Sequence, residues 1–205
     1  MATPHPSDAL VVSTRSGGQT LGLTFDDGPH ADNTPALLAV LAEHDVKAVF
    51  FVCGENVRAH PQIVRDIVAG GHVLGNHSTH HDDLGTWPAD AVEADLRATD
   101  EAVRDAAPGA PVPFFRAPYG HWGVTPQVAS GLGMRSVAWA YDIGDWDPPS
   151  ADELLARLLT GVEPGAVVLL HDGGGDRTPT VEAVARFIPL MRARGWSFDL
   201  PAGAD

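Results

Sequence analysis

Two adjacent carboxylates at the end of a largely apolar run are the residues best suited to chemistry in this sequence. Asp26 and Asp27 follow residues 21–25 and precede a Gly-Pro turn. The run predicts a buried strand, so both acids are expected where a strand meets a loop, and in barrel enzymes that rim carries the catalytic groups. Because neighbouring like charges cost free energy, we expect a metal, an arginine or a shared proton to compensate them.

Histidines after a later predicted strand offer ligands for a metal. His77 and His81 are four residues apart, so they can share a helical face or a tight turn. Two imidazoles and one carboxylate, which we assign to Asp27, make a three-ligand site with open positions for water. His80 competes with His81, because the spacing alone does not separate them. An isolated pair of this kind is more often a pair of surface histidines; the strand end and the nearby acid favour the metal.

An arginine, an aspartate and a histidine come after predicted strands farther along the chain. Arg116 follows two phenylalanines and, beside Asp26, would keep that acid ionised and fix its direction. His171 ends an apolar strand, and opposite the metal it is a candidate general acid. Asp145 would hold the ring of His171 and raise its pKa, so that the histidine begins protonated. Taken singly, such residues are more often structural.

The elements that must position these groups alternate between strands and helices. Seven strands are predicted, at residues 20–25, 47–52, 72–75, 113–115, 135–141, 165–170 and 196–200. Six helices are predicted, with starts at Pro35, Pro61, Pro88, Thr125, Ser150 and about Thr180. Strict alternation implies parallel strands, in either an open sheet or a closed barrel.

The placement of the polar residues decides between those two folds. Polar side chains directly follow five of the predicted strands, and in a parallel barrel the carboxyl ends of all strands meet at one face. A doubly wound sheet would spread the same residues along an edge. Because seven strands are too few for a full eightfold barrel, we predict an α/β fold with a compact, incomplete (β/α) barrel of about seven parallel strands.

Length and charge limit the number of domains and the kinds of partner. The chain has 205 residues, enough for one domain. We place that domain at residues 19–205, after a lead-in segment at residues 1–18. The net charge of -14 argues against a nucleic-acid partner, and no apolar stretch approaches the length of a membrane span. We expect a monomer.

The cysteine content and the amino-terminal sequence are relevant to the cellular compartment of the protein. The single cysteine, Cys53, is predicted to be a buried thiol, so disulfides within the chain play no part. Residues 1–6 lack the charged and apolar pattern of a signal peptide. We expect a secreted or cell-envelope protein whose signal is absent from this sequence, or, as the alternative, a cytoplasmic one.

Five segments of the chain together resemble the polysaccharide deacetylases of carbohydrate esterase family four, which share the NodB homology domain. The segments are residues 24–30, 77–81, 114–119, 142–146 and 167–172, in the order of the family's five motifs. The resemblance extends from about residue 21 to residue 200. It implies a distorted, NodB-like barrel and a hydrolase that removes acetyl groups from sugars.

The resemblance also implies a divalent metal, most often zinc, with cobalt or nickel as alternatives. Its ligands would be Asp27, His77 and His81, since the spacing of the family motif selects His81 over His80. The first variable position of that motif is often aromatic in relatives, and here it is Thr79. That departure leaves the ligands intact and bears on the shape of the nearby groove.

For catalysis, the resemblance implies an acid and a base on opposite sides of the metal. Asp26, oriented by Arg116, would take a proton as water attacks the acetyl carbonyl. His171, supported by Asp145, would protonate the leaving amine or alcohol. The main-chain amide of Tyr119 would help to bind the oxyanion.

Several apolar residues are candidates for contact with the substrate. By the resemblance, Trp146 and Leu169 would form the walls of an acetyl pocket. Trp87 and Trp122 would either stack on sugar rings beside the site or be partly buried surface aromatics. We expect N-deacetylation of N-acetylglucosamine units in chitin oligosaccharides or peptidoglycan, with O-deacetylation of xylan as the second choice.

Two other functions compete with the deacetylase. A non-haem iron oxygenase also uses two histidines and one carboxylate, but it leaves Asp26, Arg116, Asp145 and His171 without roles. A catalytically silent glycan-binding module would be expected to lack the base, the acid or a metal ligand, and the sequence retains all of these residues.

Overall fold

The structure is a computed structural model that describes residues 10–147 and 150–203. The strands of one parallel sheet curl into an incomplete barrel, which confirms the predicted fold class. The strands are β1 (Thr20–Gly28), β2 (Val49–Val52), β3 (Val73–Asn76), β4 (Phe114–Phe115), β5 (Arg135–Ser136), β6 (Tyr141–Asp142), β7 (Val167–His171) and β8 (Ser197–Phe198).

The order of the strands places β1 in the middle of the sheet. The sequence of neighbours is β5-β4-β3-β2-β1-β7-β6, and β8 pairs with the start of β1. The described residues contain no pairing between β5 and β6. There Val11 donates to the carbonyl of Ser136, and the carbonyl of Val12 accepts from the amide of Val167. The described part of the lead-in segment thus lies across the open side of the barrel, while its residues 1–9 fall outside the described ranges.

Seven helices in the described residues flank the sheet. They are α1 (Asn33–Glu43), α2 (Gly54–Ala59), α3 (Pro61–Ala69), α4 (Ala89–Ala106), α5 (Thr125–Gly131), α6 (Ala151–Gly161) and α7 (Thr178–Ala193). Pro61 begins α3 as predicted, and Ser150 forms the predicted capping box with Glu153. The short helix α2 was not predicted. Each of these helices is too short or too polar to cross a bilayer.

The predicted strand at residues 135–141 is wrong in its middle. Only its two ends are strands, β5 and β6, and the continuous strand is interrupted at residues 137–140. The carbonyls of Val137 and Ala138 instead accept hydrogen bonds from the buried guanidinium of Arg116, and Val137 pairs with Val11 of the lead-in segment. Tertiary contacts therefore divide a segment whose composition reads as one strand.

The sheet separates two apolar layers. On β2, Val49 and Phe51 join a small cluster inside the barrel, whereas Phe50 and Val52 join the larger core beneath the helices. This alternation is the period-two pattern of a strand buried on both faces.

Strand register brings the polar strand ends together. Asp26 of β1 pairs directly with His171 of β7, and Asn76 of β3 pairs with Phe115 of β4. Because all of these strands are parallel, the residues that follow them emerge at the same face of the barrel.

Candidate active site

The two carboxylates at the end of β1 face a single cavity. Successive residues of a regular strand point to opposite faces, but the register of β1 against β2 shifts between Asp26 and Gly28, and Asp27 has a φ of 72°. A bulge of this kind redirects a side chain. Asp26 and Asp27 therefore both line a cavity of about 530 Å³ at the carboxyl ends of the strands. The side-chain amide of Asn56 donates to the carbonyl of Asp27 at 2.8 Å and holds this backbone in place.

Asp26 is bound by a fully buried arginine. Nη1 of Arg116 donates to Oδ1 of Asp26 at 2.7 Å. The remaining guanidinium nitrogens Nε and Nη2 donate to the carbonyls of Val137 and Ala138 at 3.0 and 2.9 Å, and the ring of Phe51 lies 4.1 Å from Cζ. Burial lowers the pKa of Arg116, and the negative charge of Asp26 opposes that shift. The structure therefore brings together the arginine and the acid that the sequence predicted as a pair.

Asp27, His77 and His81 converge as a candidate metal site. One ligand atom from each lies within 4.8 Å of the others. Nε2 of His77 is 3.4 Å and Nε2 of His81 is 3.3 Å from Oδ1 of Asp27. That buried oxygen has no hydrogen-bond partner among the described residues, as expected of an oxygen that binds an ion.

The hydrogen bonds around the histidines fit metal binding. Nδ1 of His77 donates to the main-chain oxygen of Arg116 at 2.8 Å, which leaves Nε2 free to be a ligand. His80 is exposed and contacts Glu55 at 2.9 Å through Nδ1. The geometry therefore places His81, and not His80, in the trio.

The electrostatics of the trio favour a positive ion. Burial raises the pKa of Asp27, but the close approach and charge of His77, with the charges of His171 and His81, outweigh it, so that pKa lies well below its usual range. Burial lowers the pKa of His77, yet the charges of Asp26 and Asp27 raise it overall. Burial and the nearby charge of His77 lower the pKa of His81, which keeps it in the neutral, ligating form. The two acids thus stabilise positive charge at the point where the three ligand atoms meet.

In the same cavity, a buried aspartate holds His171. Nδ1 of His171 donates to Oδ1 of Asp145 at 2.7 Å, and its main-chain amide donates to Oδ2 at 2.9 Å. Thr180 also donates to Oδ2. Burial lowers the pKa of His171, but the hydrogen bond and charge of Asp145 outweigh it and raise the pKa to about 9. The ring is therefore protonated at neutral pH, and Nε2 carries the proton that is free to be transferred.

The aromatic and apolar residues predicted to contact the substrate divide into two groups. Tyr119, Trp146 and Leu169 line the cavity, and the side chains of Tyr119 and Trp146 are exposed. Trp122 is not among the lining residues; its ring packs edge-on against Phe115, 6.3 Å between centroids, in a separate apolar cluster. This position agrees with the second alternative for Trp122, that of a partly buried surface aromatic.

Six further residues line the cavity: Ala117, Gly120, Trp139, Asp142, Gly174 and Arg177. Asp142 directly follows a predicted strand and was expected at this face, whereas Trp139, which the sequence predicts within a strand, and Arg177 were not. Arg177 is buried and donates to the carbonyls of Asp145 and Gly173. The sequence signal that could have identified it is a single arginine after three consecutive glycines that follow the His171 strand.

Comparison with known proteins assigns the family. The sequence model of the polysaccharide deacetylase family matches residues 13–137. A chitooligosaccharide deacetylase of Rhizobium leguminosarum bv. trifolii is 39% identical over 194 residues, which span 89% of this chain and 90% of that protein.

Solved structures agree with the sequence match. A peptidoglycan N-acetylglucosamine deacetylase has a TM-score of 0.87 at 35% identity, over 94% of this chain and 90% of its own. A carbohydrate esterase family 4 pseudoenzyme from Bacillus anthracis has a TM-score of 0.85 at 28% identity, over 93% of this chain and 66% of its own. The presence of a pseudoenzyme among the neighbours means that the fold by itself does not decide activity. On the match to the family model and the identity to the curated relative, this chain belongs to the polysaccharide deacetylase family.

Proposed function

We propose that this protein is a metal-dependent deacetylase that hydrolyses the N-acetyl groups of glycans containing N-acetylglucosamine. The observation that carries the proposal is that three groups of residues meet in one cavity: a candidate three-ligand metal site, a carboxylate bound to a buried arginine, and a histidine bound to a buried aspartate. Together they match what amide hydrolysis requires, because water must be activated, the developing oxyanion stabilised and the leaving amine protonated.

Asp27, His77 and His81 would hold the metal, and their donor set of one carboxylate and two imidazoles suits zinc, with cobalt or nickel as substitutes. A divalent ion bound there would supply Lewis-acid polarisation and lower the pKa of a water molecule towards about 7. The unpartnered buried oxygen of Asp27 supports this assignment.

Asp26 is the proposed general base. Its Oδ2 lies 3.7 Å from Nε2 of His77, so the acid stands next to the ligands. Oδ1 is occupied by Arg116, which leaves Oδ2 as the oxygen that accepts the proton of the attacking water. Arg116 keeps the carboxylate oriented while this proton is transferred.

His171 is the proposed general acid. Because Nδ1 is held by Asp145, Nε2 delivers its proton to the nitrogen of the leaving group as the carbon–nitrogen bond breaks. The products are an amine and acetate. The main-chain amide of Tyr119, at the edge of the same cavity, is the proposed additional donor to the oxyanion.

Glycans with N-acetylglucosamine units are the proposed substrates, since the similar proteins are named chitooligosaccharide and peptidoglycan N-acetylglucosamine deacetylases. The exposed side chains of Tyr119 and Trp146 both line the cavity, and exposed aromatic rings suit sugar rings. O-acetylated xylan is the second candidate. We further propose that the protein acts as a monomer, either secreted or at the cell envelope.

The test is release of acetate from a panel of defined glycans: chitin oligosaccharides, peptidoglycan fragments and acetylated xylan. Protein stripped with a chelator is reloaded with zinc, cobalt or nickel, and oxygen uptake is recorded in parallel. We expect metal-dependent acetate release without oxygen uptake, fastest on the N-acetylated glycans. Oxygen uptake without acetate would support the oxygenase, and tight glycan binding without acetate at every metal loading would support a silent binding module.

A further inference from the structure

We infer that Trp139 limits the length of the acyl chain that the cavity accepts, an inference that rests on the proposed deacetylase function. Trp139 lies in residues 137–140, the segment between β5 and β6 that is not a regular strand. Its side chain is half-buried and lines the cavity together with Tyr119, Trp146 and Leu169. None of the five sequence motifs contains it.

The arginine that orients Asp26 also contacts the backbone before Trp139 and the indole ring itself. Arg116 donates to the carbonyls of Val137 and Ala138, the two residues that precede Trp139. The indole ring also lies 5.7 Å from Cζ of Arg116. These hydrogen bonds fix the backbone that leads to Trp139, and turning the indole out of the cavity would remove its contact with the guanidinium of Arg116.

The tip of the indole lies against Gly120. A Cβ atom at Gly120, which has a φ of 68°, would come within 2.9 Å of Cη2 of Trp139. The indole thus occupies the space that a side chain at position 120 would need. Gly120 is adjacent to Tyr119, the proposed oxyanion donor. An acetyl group whose carbonyl oxygen accepts from that amide would carry its methyl group within reach of the indole.

The other aromatic wall is less constrained. Trp146 is 59% exposed, whereas Trp139 is half-buried, so neighbouring side chains enclose the ring of Trp146 less. A wall that cannot move sets the maximum length of a bound group, whereas an exposed wall adapts to it. Trp139 is therefore the residue that we expect to discriminate between acetyl and longer acyl groups.

The experiment compares chitotetraose that carries N-acetyl groups with chitotetraose that carries N-propionyl groups. Appearance of the free amine gives kcat/KM for both substrates with the zinc-loaded protein. In Trp139→Ala we expect the propionyl-to-acetyl ratio of kcat/KM to rise roughly tenfold or more, the usual effect of one methylene in an apolar pocket. Trp139→Phe should give a smaller rise. Trp122→Ala is the matched control, since that indole packs outside the cavity, and its ratio should equal that of the unmodified protein.

Binding of the acid products gives a readout that does not depend on turnover. Calorimetric titration of the zinc-loaded protein with acetate, propionate and butyrate should show affinities that fall with chain length, and Trp139→Ala should remove that trend. If Trp139→Ala lowers kcat/KM for both acyl groups by the same factor and leaves the carboxylate trend unchanged, the inference is wrong. If the unmodified protein releases no acetate, the deacetylase proposal fails, and the carboxylate titrations still decide whether Trp139 limits acyl length.

Discussion

Arg116 donates to the carboxylate of Asp26 at 2.7 Å while its own main-chain oxygen accepts a hydrogen bond from a histidine of the metal trio. That histidine is His77, at 2.8 Å. One buried residue therefore fixes both the proposed base and a proposed ligand. The separation of Asp26 from His77 therefore depends on a single buried arginine that directly follows β4.

Replacing Asp26 with asparagine should separate proton transfer from metal binding. Asp26→Asn keeps the size of the side chain but removes the proton acceptor, so we expect kcat to fall by roughly two to four decades. Zinc content, measured by mass spectrometry after dialysis, should stay near that of the unmodified protein because Asp27, His77 and His81 are intact. Loss of zinc from this variant would mean that Asp26 is itself a ligand.

Replacing Arg116 with leucine should destabilise the whole domain. The substitution leaves the carboxylate of Asp26 buried and without its cation, which typically costs about 3–5 kcal/mol. Urea unfolding of the metal-free protein measures the change in the free energy of unfolding. The control is Arg186→Leu, which breaks an exposed ion pair with Asp152 at 2.6 Å and should cost at most about 1 kcal/mol. Equal losses in the two variants would argue against a strong buried pair.

The pH dependence of the reaction should report the pair of His171 and Asp145. The pKa of His171 is raised to about 9, and a general acid must be protonated, so kcat/KM should fall as the pH rises through that value. Asp145→Asn removes the charge that raises the pKa, and the basic limb should move down by about 1–3 pH units. Asp142→Asn is the control, because this acid is an exposed residue of the same cavity. If the basic limb of the pH profile does not move in Asp145→Asn, His171 is not the general acid.

The same pair should contribute to stability in a defined pH window. Because the folded-state pKa of His171 lies above the ordinary value of 6.5, the contribution is fully present below about pH 6.5 and is lost as the pH rises through about 9. Thermal unfolding of the metal-free protein across this range should show a loss that is absent in Asp145→Asn.

That the polar strand ends meet at one face could be predicted from the sequence, because the carboxyl ends of all strands in a parallel barrel lie at the same face. Asp26 and His171 follow apolar runs, and two parallel neighbouring strands necessarily bring such residues side by side. The capping residue Ser150 and the helix start at Pro61 were likewise encoded locally. For these features the local pattern and the tertiary structure demand the same conformation.

What the sequence did not reveal depends on contacts between distant residues. Residues 135–141 have the composition of a strand, but the carbonyls of Val137 and Ala138 accept from Arg116 and Val137 forms a bridge with Val11, and the continuous strand is interrupted here. Trp139 lies in this interruption and lines the cavity. The burial of Arg177 against main-chain carbonyls is of the same kind, because the three glycines before it indicate a loop but do not indicate which carbonyls the guanidinium contacts there.

His77 and His80 lie on one loop and should respond very differently to substitution. His77→Ala removes a proposed ligand, so we expect zinc affinity to fall by more than roughly 100-fold, beyond the usual cost of changes outside the ligand shell. His80→Ala removes only an exposed contact with Glu55 and should leave affinity and kcat unchanged. Competition with a coloured chelator measures both affinities. Equal affinities in the two variants would contradict the assignment of the trio.

Asn56 should affect the metal site through the backbone of Asp27. Its amide donates to the carbonyl of Asp27, whose φ of 72° lies in the left-handed region that a residue with a side chain enters only when its surroundings hold it there. Asn56→Ala removes that restraint, so Asp27 can relax and point its carboxylate away from the histidines.

We therefore expect Asn56→Ala to lower zinc affinity by roughly 10- to 100-fold, the usual cost of losing a residue that supports a ligand. Chelator competition measures the affinity, and urea unfolding of the metal-free protein measures stability separately. Gln62→Ala, which removes an exposed side-chain hydrogen bond to Asp66 on α3, is the control and should change neither. If the free energy of unfolding falls while zinc affinity is unchanged, Asn56 supports the fold and not the ligand. A change in the backbone conformation of Asp27 should lower zinc affinity, because it moves a ligand oxygen.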